Sequence, residues 1–504
     1  MQRKISSIVN KSQYFNIYIL GISGLAFWFI IGFPFANRNE SYGWIVLLEK
    51  FNIIEALSIQ FPTIATFRPL AQAIAWLLYN PLESIYPIQV INFITIISGF
   101  VLLINAIKEK KTLSIFLFFT GGMFFTTFYF MFNLHGIFYG PMILLASLLI
   151  NLNDKILLNN RTLVITITVV FTLAFVHPYS LLIFAFFLFG ILIEKRNIIK
   201  KNQFFIILLL IFMSLILTKL LVPGQGIVSF TFLSDNLIAS LRNAEAGNRL
   251  SIVSFAFAVI CAFSFKNERK RLYLVGLIVI TSIMLYILSL PVLIVLILIS
   301  LYKMYYIKKW SILFLILVAV LFPAVVITKS PIKCFLIFPL ISYAIVVDSD
   351  ASLRIFNFLK KRWVTVSIIL LVFSSAILIR TGQHIPLLSQ LTLPIQQERE
   401  KTFQLERILK WKLNSEYKFY GLILGQPVPN LVNSPMQWNR KNIPPTNQAY
   451  LDDYLNFIGK TNISKSEVGE LVVYFGSEKI HNYVMVYSLN GIFAGDVYVY
   501  LRSF

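Results

Sequence analysis

The feature that most constrains this chain is its repeated apolar runs, mostly 15 to 22 residues long, rich in Ile, Leu and Phe and separated by short polar breaks. One helical crossing of the ~30 Å hydrocarbon core of a bilayer takes about 20 such residues. The chain therefore reads as an α-helical polytopic membrane protein. Its composition agrees, with 58% hydrophobic and only 13% charged residues over 504 positions and a mean hydropathy of +0.77. A soluble chain of this size would carry about a quarter charged residues. A transmembrane barrel does not fit either, since no alternating ~10-residue pattern runs through it.

The runs place about 13 transmembrane helices at 15–33, 86–107, 113–131, 136–151, 162–176, 178–193, 203–222, 250–265, 272–288, 290–302, 311–328, 332–347 and 363–379. The first is too long for a cleaved signal and lacks an A-x-A-like site, so it reads as a retained signal anchor. A formal net charge of +22 would suit a nucleic-acid binder if it were clustered on one soluble face, but it lies in the loops. With the N-terminus cytoplasmic, the inner loops hold 23 Lys and Arg and the outer ones between helices only 8. The positive-inside rule then fixes the orientation. An odd number of crossings puts everything after about Arg380 outside. Residues 1–380 form the transmembrane part and 381–504 a small C-terminal α+β extracytoplasmic domain, nearly balanced at 12 basic and 10 acidic residues. That domain opens on an amphipathic stretch, "PIQQEREKTFQLERILKWKL", with Phe403, Ile408 and Trp411 near helical spacing. It ends in strand-like segments, "ELVVYFG", "NYVMVYSLNGIF" and "DVYVYLRSF", with a turn signal at Asn490-Gly491. Two outer loops are long, 34–85 and 223–249.

Several chemistries are poorly served. The inner loops are short basic strips without a Walker or G-x-G-x-x-G motif, and Asp348-Ser349-Asp350 lies in a loop too short to be a nucleotide-sugar site. No Asp or Glu falls at mid-depth in these spans, whereas ion-coupled carriers usually place ionisable groups there. Cys261 and Cys334 both sit inside apolar runs, where packing is their ordinary role. The chemistry is expected on the outer face.

Loop 34–85 is the informative one. Ser41 suits the N-cap of a surface helix across "YGWIVLLEKFNIIEALSI", and a second helix is expected from Pro69, a residue favoured at the first helical position, to Tyr79. Glu40 and Arg68 thus stand at the starts of two surface helices. Helix N-termini favour anions, and the Arg68 guanidinium adds a fork of donors suited to phosphate. Ordinary roles compete: Glu40 as a solvated loop carboxylate, Arg68 as a snorkelling interfacial cation.

The arrangement of a first crossing, an acidic residue soon after it, two surface helices, "FRPLAQAIAWLLY" and then "YPIQVINFITIISGFVLLINAI" resembles the membrane glycosyltransferases of the GT-C fold, in particular the protein O-mannosyltransferase-like branch. The local resemblance covers about residues 15–110 and the general plan the whole chain. It implies a sugar donor carried on polyprenyl phosphate and an extracytoplasmic reaction. By position Glu40 would be the general base that deprotonates the acceptor hydroxyl, and Arg68 would bind the donor phosphate. Asn39-Glu40 stands where many relatives have paired acids, so the resemblance leaves open whether a divalent metal, Mg or Mn, takes part. "KCFLIFPL" is similar to the family's basic residue before an "LP"-type helix, which adds Lys333, with Lys329 beside it, to the phosphate-binding candidates.

Other outer-face residues are candidates for a polar substrate pocket: His135 in "FNLHGIFYG" and His177 in "FVHPYS", with Tyr139 and Tyr179 in the same hairpins, and Arg249 in the second long loop. A histidine at a helix end more often packs than binds, and two histidines without a third ligand make a poor zinc site. The reading that joins these residues is a glycosyltransferase moving a sugar from a polyprenyl-phosphate-linked donor to a glycan, lipid or protein acceptor. Its place would be the outer face of a bacterial inner (plasma) membrane, among membrane lipids and without nucleic acid. The rivals are an outward-facing polysaccharide polymerase or ligase, a lipid or glycan transporter, and a noncatalytic assembly partner.

Overall fold

The computed structural model describes residues 68–106 apart from 83, 136–156, 160–221, 230–246, 268–325, 331–347 and 362–385. It also describes the segments 422–425, 471–475, 483–492 and 495–502, and scattered positions within 23–54, 254–265 and 389–407. These are mostly helical. The helices are α1 (Pro69–Tyr79), α2 (Tyr86–Ala106), α3 (Gly136–Ile156), α4 (Asn160–Ala174), α5 (Tyr179–Glu194), α6 (Lys201–Leu221), α7 (Phe230–Ala246), α8 (Glu268–Ile287), α9 (Leu293–Tyr306), α10 (Trp310–Val325), α11 (Ile337–Val346) and α12 (Arg362–Arg380), with a 3-10 turn at Pro331–Cys334.

Four of them, α2, α3, α6 and α8, are long and apolar enough to cross a membrane, and α1, α4, α5, α9, α10 and most of α12 are shorter apolar helices. Helices α6 and α8 leave Phe205, Leu209, Phe212, Leu277, Ile280 and Ile283 exposed. In water so much contiguous apolar surface would drive association, whereas hydrocarbon solvates it. The chain is a helical membrane protein. The spans expected at 86–107, 136–151, 162–176, 178–193, 203–222, 272–288, 290–302, 311–328, 332–347 and 363–379 fall on helices within a few residues. Those at 113–131, 15–33 and 250–265 lie wholly or partly outside the described residues.

Helix α5 is the hub. It buries Leu181, Phe184, Phe187, Leu188 and Ile191 around its circumference and packs against α3, α4, α6 and α10. It meets the start of α10 at close range, where a Cβ added at Gly190 would lie 2.5 Å from Ser311 Cα and 2.7 Å from Trp310 O. Only a residue without a side chain lets the two backbones come that near. One turn on, the Glu194 carboxylate accepts hydrogen bonds from the Ser311 amide (3.1 Å) and hydroxyl (2.7 Å) and from Asn153 Nδ2 (3.2 Å). It thereby caps the N-terminus of α10 and offsets that end of the helix dipole. Helices α2 and α3 cross closely at Gly99, where an added Cβ would meet Ile143 Cγ2 at 2.9 Å. Asn151 Nδ2, donating to Leu102 O, ties the same pair.

Helix α1 has the bounds its sequence implies, opening at Pro69 and ending before Asn80 and Pro81, with Ala71, Gln72, Ala75 and Tyr79 on its buried side. The loop expected at 223–249 differs, because residues 230–246 are the helix α7. It packs on α10 and on the 3-10 turn, buries Asn236, Ser240, Leu241 and Ala244, and reaches Ala324 O through Asn236 Nδ2 at 3.5 Å. These buried positions recur at three- and four-residue spacing among polar ones, a pattern hidden by the low hydrophobicity of the segment as a whole.

Near the C-terminus, β1 (Leu422–Gly425), β2 (Leu471–Phe475), β3 (Tyr483–Leu489) and β4 (Val497–Arg502) form one sheet in the order β1-β2-β4-β3. The β1–β2 pair is parallel and the others antiparallel. Three strands match the expected segments; β1 is the four-residue run "LILG", too short to carry a strand alternation of its own. Asn490-Gly491 does not form a two-residue hairpin turn. It opens a longer connection closed by Gly491 N–H donating to Asp496 Oδ1 at 3.2 Å, with Gly495 at φ +77, so a glycine meets the left-handed conformation there. Arg399 donates to Ile31 O at 2.7 Å and Gln396 to Ile379 O at 3.2 Å, anchoring the segment after α12 to helix ends near residues 31 and 379.

Candidate functional site

Five candidates read from the sequence come together at one end of the bundle: Arg68, Tyr139, His177, Tyr179 and Lys333. Each is placed by the start of a helix. Arg68 is the N-cap position of α1. Tyr139 lies in the first turn of α3. His177 occupies the turn between α4 and α5, and Tyr179 opens α5. Lys333 sits on the 3-10 turn that leads into α11. The starts of four helices therefore lie in one neighbourhood. A helix N-terminus carries about half a positive charge, and here the Leu70 and Tyr179 amides donate to Phe175 O and His177 Nδ1.

The walls are aromatic. Tyr139 packs beside His177 with ring centroids 5.6 Å apart and beside Phe335 at 4.8 Å. Tyr179 lies 5.1 Å from His177 and edge-on to Phe322 at 4.2 Å, while Phe322 and Phe335 are 5.1 Å apart. The guanidinium of Arg68 stands 4.5 Å over the Phe138 ring. Lys333 Nζ lies 5.1 Å over Tyr139 and 5.8 Å from Phe322, and donates a hydrogen bond to the Tyr139 hydroxyl at 2.5 Å. Both cations are largely shielded, at 7% exposure for Arg68 and 8% for Lys333. Ring faces attract cations without neutralising them. Among the described residues no carboxylate forms an ion pair with Lys333.

His177 is the electrostatic reporter of the cluster. It is buried, and its Nδ1 accepts the backbone N–H of Tyr179 at 3.3 Å. The network thus assigns the proton of the neutral ring to Nε2. Burial, and after it the charges of Arg68 and Lys333, hold the imidazole well below its ordinary value. Two cations and the starts of several helices thus surround a buried, neutral histidine.

Glu40, Lys329, His135 and Arg249, the other candidates, lie outside the described residues. The sequence reading missed Phe138, Phe322 and Phe335. For Phe322 a usable signal existed, the adjoining Pro323 inside a helix. A helical proline frees a carbonyl and bends the helix, which often marks a site in membrane proteins. Set against known proteins, the chain matches no family model, no curated protein and no solved structure. The fold and the site together define a helical membrane protein with a caged pair of cations at one end of its bundle.

Proposed function

We propose that the chain is a GT-C-type glycosyltransferase that takes a sugar from a polyprenyl-phosphate donor and passes it to a glycan, lipid or protein hydroxyl at the extracytoplasmic face of a bacterial plasma membrane. The observation that supports it best is the gathering of Arg68 and Lys333 about neutral His177, between tyrosines and at several helix N-termini. A lipid-borne phosphate at the membrane surface is the anion suited to that environment. In the reaction, the acceptor oxygen attacks the anomeric carbon and the bond from that carbon to the phosphate oxygen breaks. The bonding pair leaves with polyprenyl phosphate, where Arg68 and Lys333 would stabilise the charge. The acceptor proton goes to Glu40 as general base. Tyr179 and the Nε2–H of His177 are polar groups for orienting donor or acceptor.

The test is purified protein in a bilayer, given synthetic polyprenyl-phosphate sugars and a panel of acceptors. Release of polyprenyl phosphate coupled to glycosylated acceptor is expected, and Glu40→Gln should abolish turnover while keeping donor binding. Movement of labelled donor between leaflets with no sugar transfer would replace the enzyme by a transporter. Full turnover in Glu40→Gln would remove that residue from the role of base.

A further inference from the structure

At the opposite end of the bundle from the cation cluster, the starts of α8 and α10 and the end of α9 form a basic rim set with aromatic rings. Helix α10 joins the two ends, with Trp310 at the rim and Phe322 beside Lys333, about 18 Å apart along the helix axis. Residues 268–273 and 302–310 set Arg269, Lys270, Arg271, Lys303, Lys308 and Lys309 against the single carboxylate of Glu268. Lys303 is buried and donates to Ile345 O at 2.7 Å, whereas Arg269, Lys270 and Lys308 are exposed. The two segments are held together. Lys270 Nζ stands 4.7 Å over the Tyr306 ring, Arg271 Nε donates to Phe265 O at 2.5 Å, and Phe265 stacks on Tyr302 at 5.7 Å. Tyr305 meets Trp310 edge-on at 5.4 Å. Among the described residues Arg269, Lys308 and Lys309 form no ion pair.

These cations do not stand where they would stabilise their own helices. Arg269, Lys270 and Arg271 fall in the first turn of α8, the end at which the helix dipole disfavours positive charge. Lys308 closes the end of α9 at φ +57, its amide donating to Tyr305 O at 3.1 Å and the Lys309 amide to Met304 O at 2.9 Å. That conformation suits glycine and is a strain on any residue with a Cβ. We infer that the rim binds the headgroup of an anionic phospholipid, of the phosphatidylglycerol class, from the leaflet at this end. Charge sets the class, because guanidinium and ammonium groups hold a phosphate but repel the choline cation of a zwitterionic lipid. Position selects a lipid over a soluble acidic partner. Leu272 and Tyr273, next along α8, are 74% and 83% exposed, and Leu277 and Ile280 follow them on the open side of the helix. An anion at the rim therefore stands over a surface that hydrocarbon solvates. The Lys and Arg bias also assigns this end to the cytoplasmic side, the leaflet whose anionic lipids attract basic segments. The site is independent of the glycosyltransferase reading.

The experiment uses the full chain in phosphatidylcholine nanodiscs doped with phosphatidylglycerol that carries a photoreactive group near its headgroup. Peptides spanning 268–273 and 302–310 are expected to take up this probe about fivefold or more above the matching phosphatidylcholine probe. In the double variant Arg269→Gln, Lys308→Gly the excess should fall by about five- to twentyfold. Its melting temperature in phosphatidylcholine should hold or rise, since glycine takes the left-handed turn without strain. Salt gives a second measure on the unaltered protein: raising the ionic strength should erode the excess, and an excess that salt leaves intact would refute the charge argument. Equal label from the two probes, or label that the double variant retains, would overturn the site. Displacement by dissolved glycerol 3-phosphate would reduce the rim to a phosphate contact, and displacement by polyglutamate would give it to an acidic protein; either result removes the lipid.

Discussion

Replacing Lys333 by Met separates a functional cation from a structural one, because the two roles predict opposite changes in stability. The ammonium is nearly buried, its described hydrogen bond is to the Tyr139 hydroxyl, and its charge adds to that of Arg68 in depressing the basicity of His177. Met keeps most of the packing against Tyr139 and Phe322 while deleting the charge. In the empty protein the substitution costs about 1 kcal/mol for the hydrogen bond, offset because a nearly buried ammonium no longer has to be desolvated. The melting temperature is therefore expected to hold or rise. With a phosphate in place, the same ammonium makes a charge-assisted hydrogen bond of about 1.5–3 kcal/mol, so its loss should lower kcat/KM by about 10- to 150-fold. Because charge on the leaving phosphate grows in the transition state, much of that loss should appear in kcat. Lys333→Arg should recover part of it. Steady-state transfer rates beside thermal unfolding in the same detergent measure both. Unchanged kcat/KM would refute the argument, and so would a loss of turnover matched by a fall in melting temperature.

Three further outcomes follow from the geometry. Gly190→Ala puts a methyl group against the backbone of α10, which cannot turn aside, and should cost about 1–3 kcal/mol or more, read as a lower melting temperature. Glu194→Ala strands the Ser311 and Asn153 donors and should cost at least about 2 kcal/mol; a double-mutant cycle with Ser311→Ala should show clear non-additivity, and simple addition would deny the cap. His177 is buried and neutral, so the unfolded chain takes up a proton that the folded one refuses once the pH falls below the ordinary imidazole value of about 6.5. Stability should be insensitive to His177 above that pH and fall by about 1.4 kcal/mol per pH unit below it until the folded-state value is reached. His177→Asn should flatten the profile in this window, and an unchanged slope would mean that the imidazole charges where it stands.

The sequence by itself determined the solvent and the local elements. Run length and hydropathy give helices that need hydrocarbon, and the start of α1 follows from Pro69. Three of the four strands are written in their β-branched and aromatic alternation. These are properties of one segment at a time, set by backbone geometry and by the face each segment must bury. Tyr139, His177 and Tyr179 were legible as candidates because they fall in turns expected on the outer face, and Arg68 and Lys333 because they stand at helix starts that the family resemblance picks out. Their convergence was not legible, since Lys333 and Tyr139 are separated by 194 positions, and no local pattern encodes a contact of that range. Helix α7 was hidden because its apolar stripe is diluted by Ser, Asn and Asp. Only the tertiary structure decided that Gly190 is a contact point, that Glu194 caps another helix, and that three phenylalanines wall the cations. Packing places those groups, and packing is a property of pairs of helices that a single sequence does not print.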